Sequence, residues 1–413
     1  MDRDSYRGIV GNTNFLRFWA ANMSAELGYG LFELAIVWLA ITESHSSFFA
    51  GVILFVEFAT YSLTFAVGPL IDAHPDKKKF ITWIFPVQAL LAILITAAVL
   101  AHAITVPLIL LVVFLMALLW DFPWLAASVI LPLILRKEQL LRANSLMFAV
   151  GGGSSVLINA MGGIALAVVG VGGASAIYAA AFLLATLLML TVSVPRVQVD
   201  RKEDGNVLTG RLAEGWDELM GGRRSDLRAF FFLSGIQGFF SVAPFLLIAV
   251  ITAFYLKGQN GVMNFGLLNA TLLAGGFAGN FVYGKINPTR RLGKSILAST
   301  AVEGILIALT PLALGYLPFL YLLWFAVGSF DPVFYTGYTS YVQATVESSM
   351  LGRMKGNIYL LRGTGRGVGN IALGALVAAA GLVAGAVWFG VALVIVAVAA
   401  YAVLEPVRNA GYT

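Results

Sequence analysis

The stretch LLWDFPWLAA, Leu118 to Ala127, holds a single charged residue, Asp121, in an otherwise apolar run. The nearest other ionisable side chains along the chain are those of His102 and Arg136. A run of about 20 mainly apolar residues is long enough to cross a bilayer as an α-helix. A carboxylate inside such a helix is costly to bury and is typical of a functional position. The stretch therefore predicts a membrane-spanning helix with a functional acid near its centre.

The composition of the whole chain extends this prediction. Of 413 residues, 59% are apolar and 11% are charged, whereas soluble domains carry roughly a quarter charged residues. Twelve apolar segments of spanning length follow one another, with short turns between most of them. Their approximate centres are Tyr29, Ala59, Leu91, Leu119, Val156, Leu183, Ser241, Leu273, Ile305, Gly328, Val368 and Val394. The sequence predicts an all-α membrane protein with twelve transmembrane helices in two pseudo-symmetric six-helix halves.

The distribution of basic residues predicts the orientation. With the N-terminus in the cytoplasm, the outside loops hold essentially one basic residue, Lys257, and the inside loops hold most of the others. This positive-inside pattern predicts a multi-pass protein of a prokaryotic inner membrane with both termini in the cytoplasm. The net charge of +5 therefore orients the chain and does not predict binding to nucleic acid.

The one long polar interruption divides the chain into domains. It predicts an N-terminal half over residues 1–195, a cytoplasmic linker over 196–228 and a C-terminal half over 229–413. Within the linker, apolar residues at helical spacing predict an amphipathic helix on the inner leaflet, with a regulatory or partner-binding role as the alternative.

The two halves repeat one another. Asn159 and Asn370 lie 211 residues apart, and so do Gly163 and Gly374. Asp121 and Asp331 lie 210 residues apart. Internal repeats of this kind are typical of secondary transporters.

The loop GPLIDAHPDKKKF, residues 68–80, resembles the loop between the second and third helices of the major facilitator superfamily. Gly68, Leu70, Asp72 and Lys77 match that family's signature, and the resemblance implies a gating role for Gly68, Asp72 and Lys77. The stretches LPLILRKEQLLRANSL (131–146), LAEGWDEL (212–219) and LGRMKGNIYLL (351–361) resemble its branch of drug, macrolide and siderophore exporters. The resemblance also implies that the first, fourth, seventh and tenth helices line a central cavity.

Polar side chains follow one stripe on several predicted helices. In the first helix Asn22, Glu26, Tyr29 and Glu33 recur at spacings of three and four residues, which places them on one face. Candidate proton-coupling and substrate-binding residues are Asp121, Asp331, Glu26, Glu33, Glu57, Arg366 and Arg362. Candidate cavity-lining residues are Asn22, Tyr29, Trp120, Trp124, Gln237, Tyr335 and Tyr338.

Asp121 and Asp331 are the predicted proton carriers. The pKa of a carboxyl group rises in a dry cavity and falls when water or a cation reaches it, so its charge follows the state of the cavity. Aromatic neighbours such as Trp120, Trp124 and Tyr335 are suited to hold a lipophilic or cationic solute. Glu303 lies in a helix that the resemblance makes peripheral, and a role as a buried structural acid is favoured for it.

Two arginines stand inside the eleventh predicted helix, in RGTGRGVGN, residues 362–370. The stretch lacks the spacing of a nucleotide-binding loop, and close helix packing through glycines is the better interpretation. Arg366 lies roughly 20 Å from the start of the helix and needs a partner there. The candidates are Glu57, Asp331 or an anionic group of the substrate.

These patterns predict a secondary active transporter that works by alternating access and exports a small amphiphilic or cationic compound against protons. The alternatives are a lipid or lysolipid flippase or scramblase and an importer of a small polar solute. Neither a zinc motif nor a nucleophile elbow is present, so the sequence predicts no enzyme and no metal site. The predicted protein is a monomer in the lipid bilayer that needs a small-molecule substrate and an ion gradient but no bound cofactor.

Overall fold

The computed structural model describes residues 11–61, 74–196, 216, 220–221, 224–256, 258–286, 288–346 and 348–411. All regular structure in these ranges is helical. The α-helices are α1 Thr13–Ser44, α2 Ser47–Tyr61, α3 Lys78–Leu100, α4 Val106–Ile134, α5 Lys137–Leu190, α6 Ser225–Phe240, α7 Ala243–Val250, α8 Gly258–Ile286, α9 Leu292–Ala308, α10 Thr310–Ala313, α11 Leu317–Thr345, α12 Ser348–Val403 and α13 Glu405–Arg408. A π-helical turn, Ile251–Leu256, follows α7, and a 3₁₀ turn, Thr289–Arg291, precedes α9.

The two longest helices are each interrupted by one glycine. Gly170 in α5 has φ 67° and ψ −177°, and Gly381 in α12 has φ 86° and ψ 166°. A side chain would be strained in this part of conformational space, so glycine is the residue that permits the break. Each of the two helices therefore consists of two helical segments.

The ends of the helices repeat along the chain, as the predicted internal repeat requires. The run from α6 through the π-helical turn, residues 225–256, has the bounds of α1 moved by 212 residues. Both ends of α11 lie 211 residues after those of α4, and α12 begins 211 residues after α5. The interrupting glycines, Gly170 and Gly381, have the same separation.

This register corrects one feature of the predicted symmetry. Because α4 and α11 match at an offset of 211, the residue that corresponds to Asp121 is Pro332. Asp331 stands one residue earlier, and one residue turns an α-helix by about 100°. The two aspartates are therefore neighbours in register and do not occupy equivalent positions.

Several helices meet the requirements for crossing a membrane. Seven helical stretches in the described ranges are long and apolar enough. Many of their large apolar side chains are exposed, including Trp83 (67%) and Trp388 (65%), which suits contact with lipid. The chain is therefore a multi-pass helical membrane protein, and the count of twelve spanning helices stays a prediction.

The helices pack into two compact units. The first contains Met1–Glu43 and Leu63–Asp204, and the second contains Ser44–Ser62 and Gly205–Thr413. Helix α2 thus packs with the C-terminal part of the chain, although the predicted boundaries assign it to the first half. The boundaries 1–195, 196–228 and 229–413 stay a proposal about how the halves divide.

Hydrogen bonds between helices hold the first unit together. The buried Gln88 of α3 donates to the carbonyl oxygen of Met116 at 2.9 Å and accepts from the hydroxyl of Tyr178 at 3.0 Å. At one end of the unit, Lys78 Nζ donates to the carbonyl oxygens of Leu190 (3.0 Å) and Val192 (2.6 Å). These side chains satisfy backbone and amide groups that lipid would leave unpaired.

Glycines bring the helices of the second unit close together, as predicted for the glycine-rich part of α12. Gly51 of α2 faces Gly374 and the carbonyl oxygen of Asn370 on α12. Ser47 donates a hydrogen bond to the carbonyl oxygen of Gly374 at 3.1 Å. The contact between α2 and α12 positions Arg366, which lies one helical turn before Asn370.

An ion pair joins the beginning of α6 to the end of α11. Arg224 Nη2 lies 2.8 Å from Asp226 Oδ2, and Arg224 Nη1 donates to the carbonyl oxygen of Thr345 at 3.1 Å. Tyr341 donates a hydrogen bond to the same carboxylate. Hydrogen bonding to Asp226 raises the pKa of the Arg224 guanidinium above its ordinary value, so this group stays charged.

Candidate functional site

A cluster of polar side chains lies inside the second unit, on helices that are otherwise apolar. We call it the carboxyl–arginine cluster. Its members are Gln237 on α6, Glu303 on α9, Asp331 and Tyr338 on α11, and Arg362 and Arg366 on α12. Four helices separated in sequence thus contribute to one site, and each contributes a group that is expensive to bury in a membrane protein.

Glu303 is completely buried. Its exposed fraction is 0%, and that of Gln237 is 2%. The side-chain amide of Gln237 donates to Glu303 Oε2 at 3.2 Å. Glu303 thus has a polar partner on a second helix.

The carboxyl group of Glu303 also interacts electrostatically with that of Asp331. Glu303 Oε1 and Asp331 Oδ1 are both inaccessible to solvent and have no hydrogen-bond donor among the described residues. Two carboxylates in contact in a dry site repel one another, whereas a proton on one of them would donate to the other. The geometry therefore suits a carboxyl pair that holds one proton.

The two arginines lie one helical turn apart on α12, and both interact electrostatically with Asp331. The Arg362 guanidinium lies 5.0 Å from the centre of the Tyr335 ring and 6.0 Å from that of Phe334. The Arg366 guanidinium lies 4.4 Å from the ring centre of Phe58 on α2. Cation–π contacts of this kind favour a guanidinium that is partly removed from water.

Each arginine keeps a buried nitrogen without an acceptor. Arg362 Nη1 and Arg366 Nε have no accessible surface and no hydrogen-bond partner in the part of the chain that the structure describes. Asn370 lies one turn further along α12, and its amide nitrogen and oxygen are also buried without a hydrogen-bond partner among the described residues. Buried polar groups without partners are rare because each costs about 1–3 kcal/mol, so this stripe is suited to receive a ligand.

Tyrosines surround the arginines on one side. Tyr338 is buried and stacks on Phe230, with ring centres 5.4 Å apart. The hydroxyl groups of Tyr335 and Tyr359 lie 2.9 Å apart. A small pocket between α11 and α12 is lined by Tyr335, Tyr338, Thr339, Val342, Ile358 and Tyr359. Tyr335 thus contacts both this pocket and Arg362.

The first unit brings together two of the predicted cavity residues. Tyr29 of α1 stacks on Trp120 of α4 with ring centres 4.0 Å apart and planes 13° apart. Glu26 is half-buried on α1 three residues before Tyr29, and Glu33 is half-buried four residues after it. Asn22 instead donates to the carbonyl oxygen of Phe18 in its own helix at 2.8 Å.

The predicted site residues thus fall into separate groups. Six of them, Gln237, Asp331, Tyr335, Tyr338, Arg362 and Arg366, come together in the second unit.

Glu57 lies on α2 beside Phe58, and it has contacts of its own. Lys77 is 4% exposed just before α3. Gly68, Asp72 and the side chains of Asp121 and Trp124 lie outside what the structure describes.

For Arg366, the structure gives Asp331 as an interacting acid. The contact that it gives between Arg366 and α2 is with the ring of Phe58. Glu57 also has contacts of its own, so both acids stay predicted partners of Arg366.

Glu303 is the member of the cluster to which the sequence assigned no transport role. Its signal is visible in the sequence, since it is the one acidic residue within α9. What could not be read from the sequence is that α9 turns this residue toward Gln237 and Asp331. The resemblance to the major facilitator superfamily implied that the ninth helix is peripheral, and the predicted site residues therefore lie on other helices.

The charged members of the cluster have no counterparts in the first half of the repeat. At the positions 211 residues before Glu303, Arg362 and Arg366 stand Ala92, Gly151 and Ser155. The repeat therefore preserves the arrangement of helices but not the chemistry, and the cluster is a specialisation of the second unit.

Comparison with known proteins identifies the fold. No known family profile and no curated protein sequence matches the chain. Among solved structures, a point mutant of the nucleoside transporter NupG superposes with a TM-score of 0.76 at 13% identity, over 94% of this chain and 99% of that one. A POT family transporter in complex with a thioalcohol-conjugated peptide gives 0.71 at 12% identity, over 95% and 96%. The POT family transporter PepTSo gives 0.70 at 14% identity, over 95% and 98%.

These likenesses establish the architecture. The chain has the fold of helical membrane transporters, which agrees with the fold that the resemblance to the major facilitator superfamily implied. These neighbours are named as transporters. Membership of the exporter branch stays a prediction.

Proposed function

We propose that the protein is a secondary transporter that works by alternating access and moves a small polar solute together with protons. The observation that supports this proposal best is the buried carboxyl pair of Glu303 and Asp331 beside two arginines. Ionisable residues in the middle of spanning helices are costly and are typical of proton relays in transporters.

The carboxyl pair is suited to couple proton movement to a conformational change. While the site is closed, one proton shared between the two groups limits the buried negative charge to that of one carboxylate. When water enters, the proton is free to leave, and Arg362 and Arg366 stabilise the charge that remains. The charge of the cluster then differs between closed and open states, which is what coupling requires.

The chemistry of the cluster favours a polar solute over a lipophilic cation. Two guanidinium groups repel a cationic compound, and this weakens the expectation of cationic drug export that the sequence gave. The solved neighbours are named as transporters of nucleosides and peptides, which are polar solutes. The direction of transport, including the export that the sequence predicted, is determined by supplying the solute on either side of the membrane. A lipid flippase is the remaining alternative.

The proposal is tested with the purified protein in liposomes that contain a pH-sensitive dye. Uridine, dialanine, benzoate, tetraphenylphosphonium and a fluorescent lysolipid are supplied in turn on either side of the membrane. We expect solute-dependent proton movement for a polar member of this panel and none for the lysolipid. Lysolipid equilibration without proton movement would support the flippase instead. Solute movement that leaves the internal pH unchanged would contradict proton coupling.

For the membrane orientation, we propose an inner-membrane monomer in the lipid bilayer with both termini in the cytoplasm. The chain contains no cysteine, so single cysteines introduced into it are labelled without background. Cysteines at the exposed positions Ala103 and Gly315 should react from outside, and those at Lys79 and Lys294 from inside only. The reverse pattern would contradict the orientation.

A further inference from the structure

Arg362 and Arg366 carry more hydrogen-bonding capacity than the protein uses. Arg362 Nη1 and Arg366 Nε are buried without an acceptor among the described residues, and Asn370 continues the same stripe with an unpartnered amide. The spacing of four residues places the three side chains on one face of α12. Because each unmade hydrogen bond is costly, the stripe is organised for an acceptor that the chain itself does not supply.

The charges around the stripe also leave a positive excess. On α9, α11 and α12, two guanidinium groups lie beside the carboxyl pair of Glu303 and Asp331, for which one shared proton is proposed above. Two further acids lie on helices that pack against α12. Asp226 of α6 is paired with Arg224 at 2.8 Å, and Glu57 of α2 has contacts of its own. With one shared proton, the two arginines and the carboxyl pair together carry one net positive charge, which an anionic group from outside the protein would balance.

We propose that Arg362 and Arg366 bind an anionic group of the transported solute, a carboxylate or a phosphate, and that the solute is therefore a small organic anion. This inference rests on the proposed transport function and names its substrate class. The planar guanidinium group is matched to carboxylate and phosphate oxygens, which it binds through two parallel hydrogen bonds.

The surroundings of Arg362 favour an anion that also has an apolar or aromatic part. Tyr335 lies under the Arg362 guanidinium and also lines the pocket between α11 and α12. An anionic group on Arg362 places the rest of a small solute beside these tyrosine rings. Stacking on an aromatic ring adds to the gain from burial, so benzoate is a better probe of this site than a bare inorganic ion.

The test compares benzoate with benzamide, which has the same ring and no charge. Binding to the purified wild-type protein in lipid-free detergent is measured by the shift in melting temperature and by calorimetry, without any proton gradient. Phenyl phosphate is a third probe, and phosphatidylglycerol, added alone, represents an anionic lipid headgroup. We expect benzoate or phenyl phosphate to bind at millimolar or lower concentration and benzamide not to bind.

The variants Arg362→Gln and Arg366→Gln should each weaken anion binding by about tenfold or more, the expected loss of one charge-assisted hydrogen bond. The variant Arg290→Gln, which changes an exposed arginine of the same unit, should bind like the wild type. Variants that lose their native melting transition are replaced by Arg362→Lys and Arg366→Lys, which keep the charge and remove the planar fork.

Equal binding of benzoate and benzamide would overturn the proposal. So would undiminished anion binding in both arginine variants, binding of phosphatidylglycerol alone, or the absence of binding by every probe. The result is separate from the test of proton coupling. A protein that binds benzoate without moving protons would refute proton-coupled transport but support the anion site. Proton-coupled transport of uridine alone would support the transport proposal and refute the anion site.

Discussion

At the scale of single residues, a double-mutant cycle measures the coupling energy between Arg366 and Asp331. Removing Arg366 leaves Asp331 with one neighbouring cation fewer in a buried site, so Arg366→Leu should lower the melting temperature. Adding Asp331→Asn should restore part of the loss, with a coupling energy of about 1 kcal/mol as found for buried polar pairs in membrane proteins.

The matched cycle replaces Asp331→Asn with Glu57→Gln, because Glu57 was the first partner that the sequence suggested for Arg366. We expect the coupling energy with Glu57 to be smaller, since α2 contacts Arg366 through the ring of Phe58. A larger coupling with Glu57 than with Asp331 would mean that the electrostatic partner of Arg366 has been assigned to the wrong helix.

At the scale of helices, the contact between α2 and α12 depends on glycine at both sides. A methyl group on Gly51 would overlap the carbonyl oxygen of Asn370, which belongs to the backbone and cannot rotate away. Gly51→Ala should therefore destabilise the protein by about 1–3 kcal/mol, the usual cost of overpacking. The measurement is the melting temperature in detergent.

Gly315→Ala is the control for this substitution, because a methyl group there would meet nothing within 4 Å. It should leave the melting temperature within about half a kcal/mol of the wild type, as for most surface changes. Equal stability of the two variants would show that α2 and α12 separate easily, and the position of Arg366 would then have to be explained by other contacts.

The same scale shows what the sequence could predict. Three of the predicted site residues, Asp331, Tyr335 and Tyr338, lie in or beside the cluster on α11. Glu303 could not be added, because its contact with Gln237 joins residues 66 positions apart and depends on how α6 and α9 pack. The one-residue difference in register between Asp121 and Asp331 became visible only when both ends of α4 and α11 were known.

At the scale of the whole molecule, the repeat builds two halves from similar helices, and only the second carries buried arginines at the compared positions. Gly170 and Gly381 keep equivalent breaks, whereas Gly151 and Ser155 stand where the second half has Arg362 and Arg366. The proposed proton-coupling and anion-binding groups on these helices therefore belong to the second unit. Substitutions that test the proposed function are therefore made first in the second unit.

The central claim is that the carboxyl pair carries the coupled proton, and one measurement tests it most directly. The double variant Glu303→Gln, Asp331→Asn keeps size and polarity but holds no exchangeable carboxyl proton. In liposomes, solute accumulation driven by a pH gradient should fall to the level of empty vesicles, while exchange of labelled for unlabelled solute without a gradient should continue. Glu405→Gln, at an exposed position on α13, serves as the control, and Asp121→Asn tests the other predicted carrier under the same conditions. Accumulation at the wild-type rate in the double variant would contradict the account.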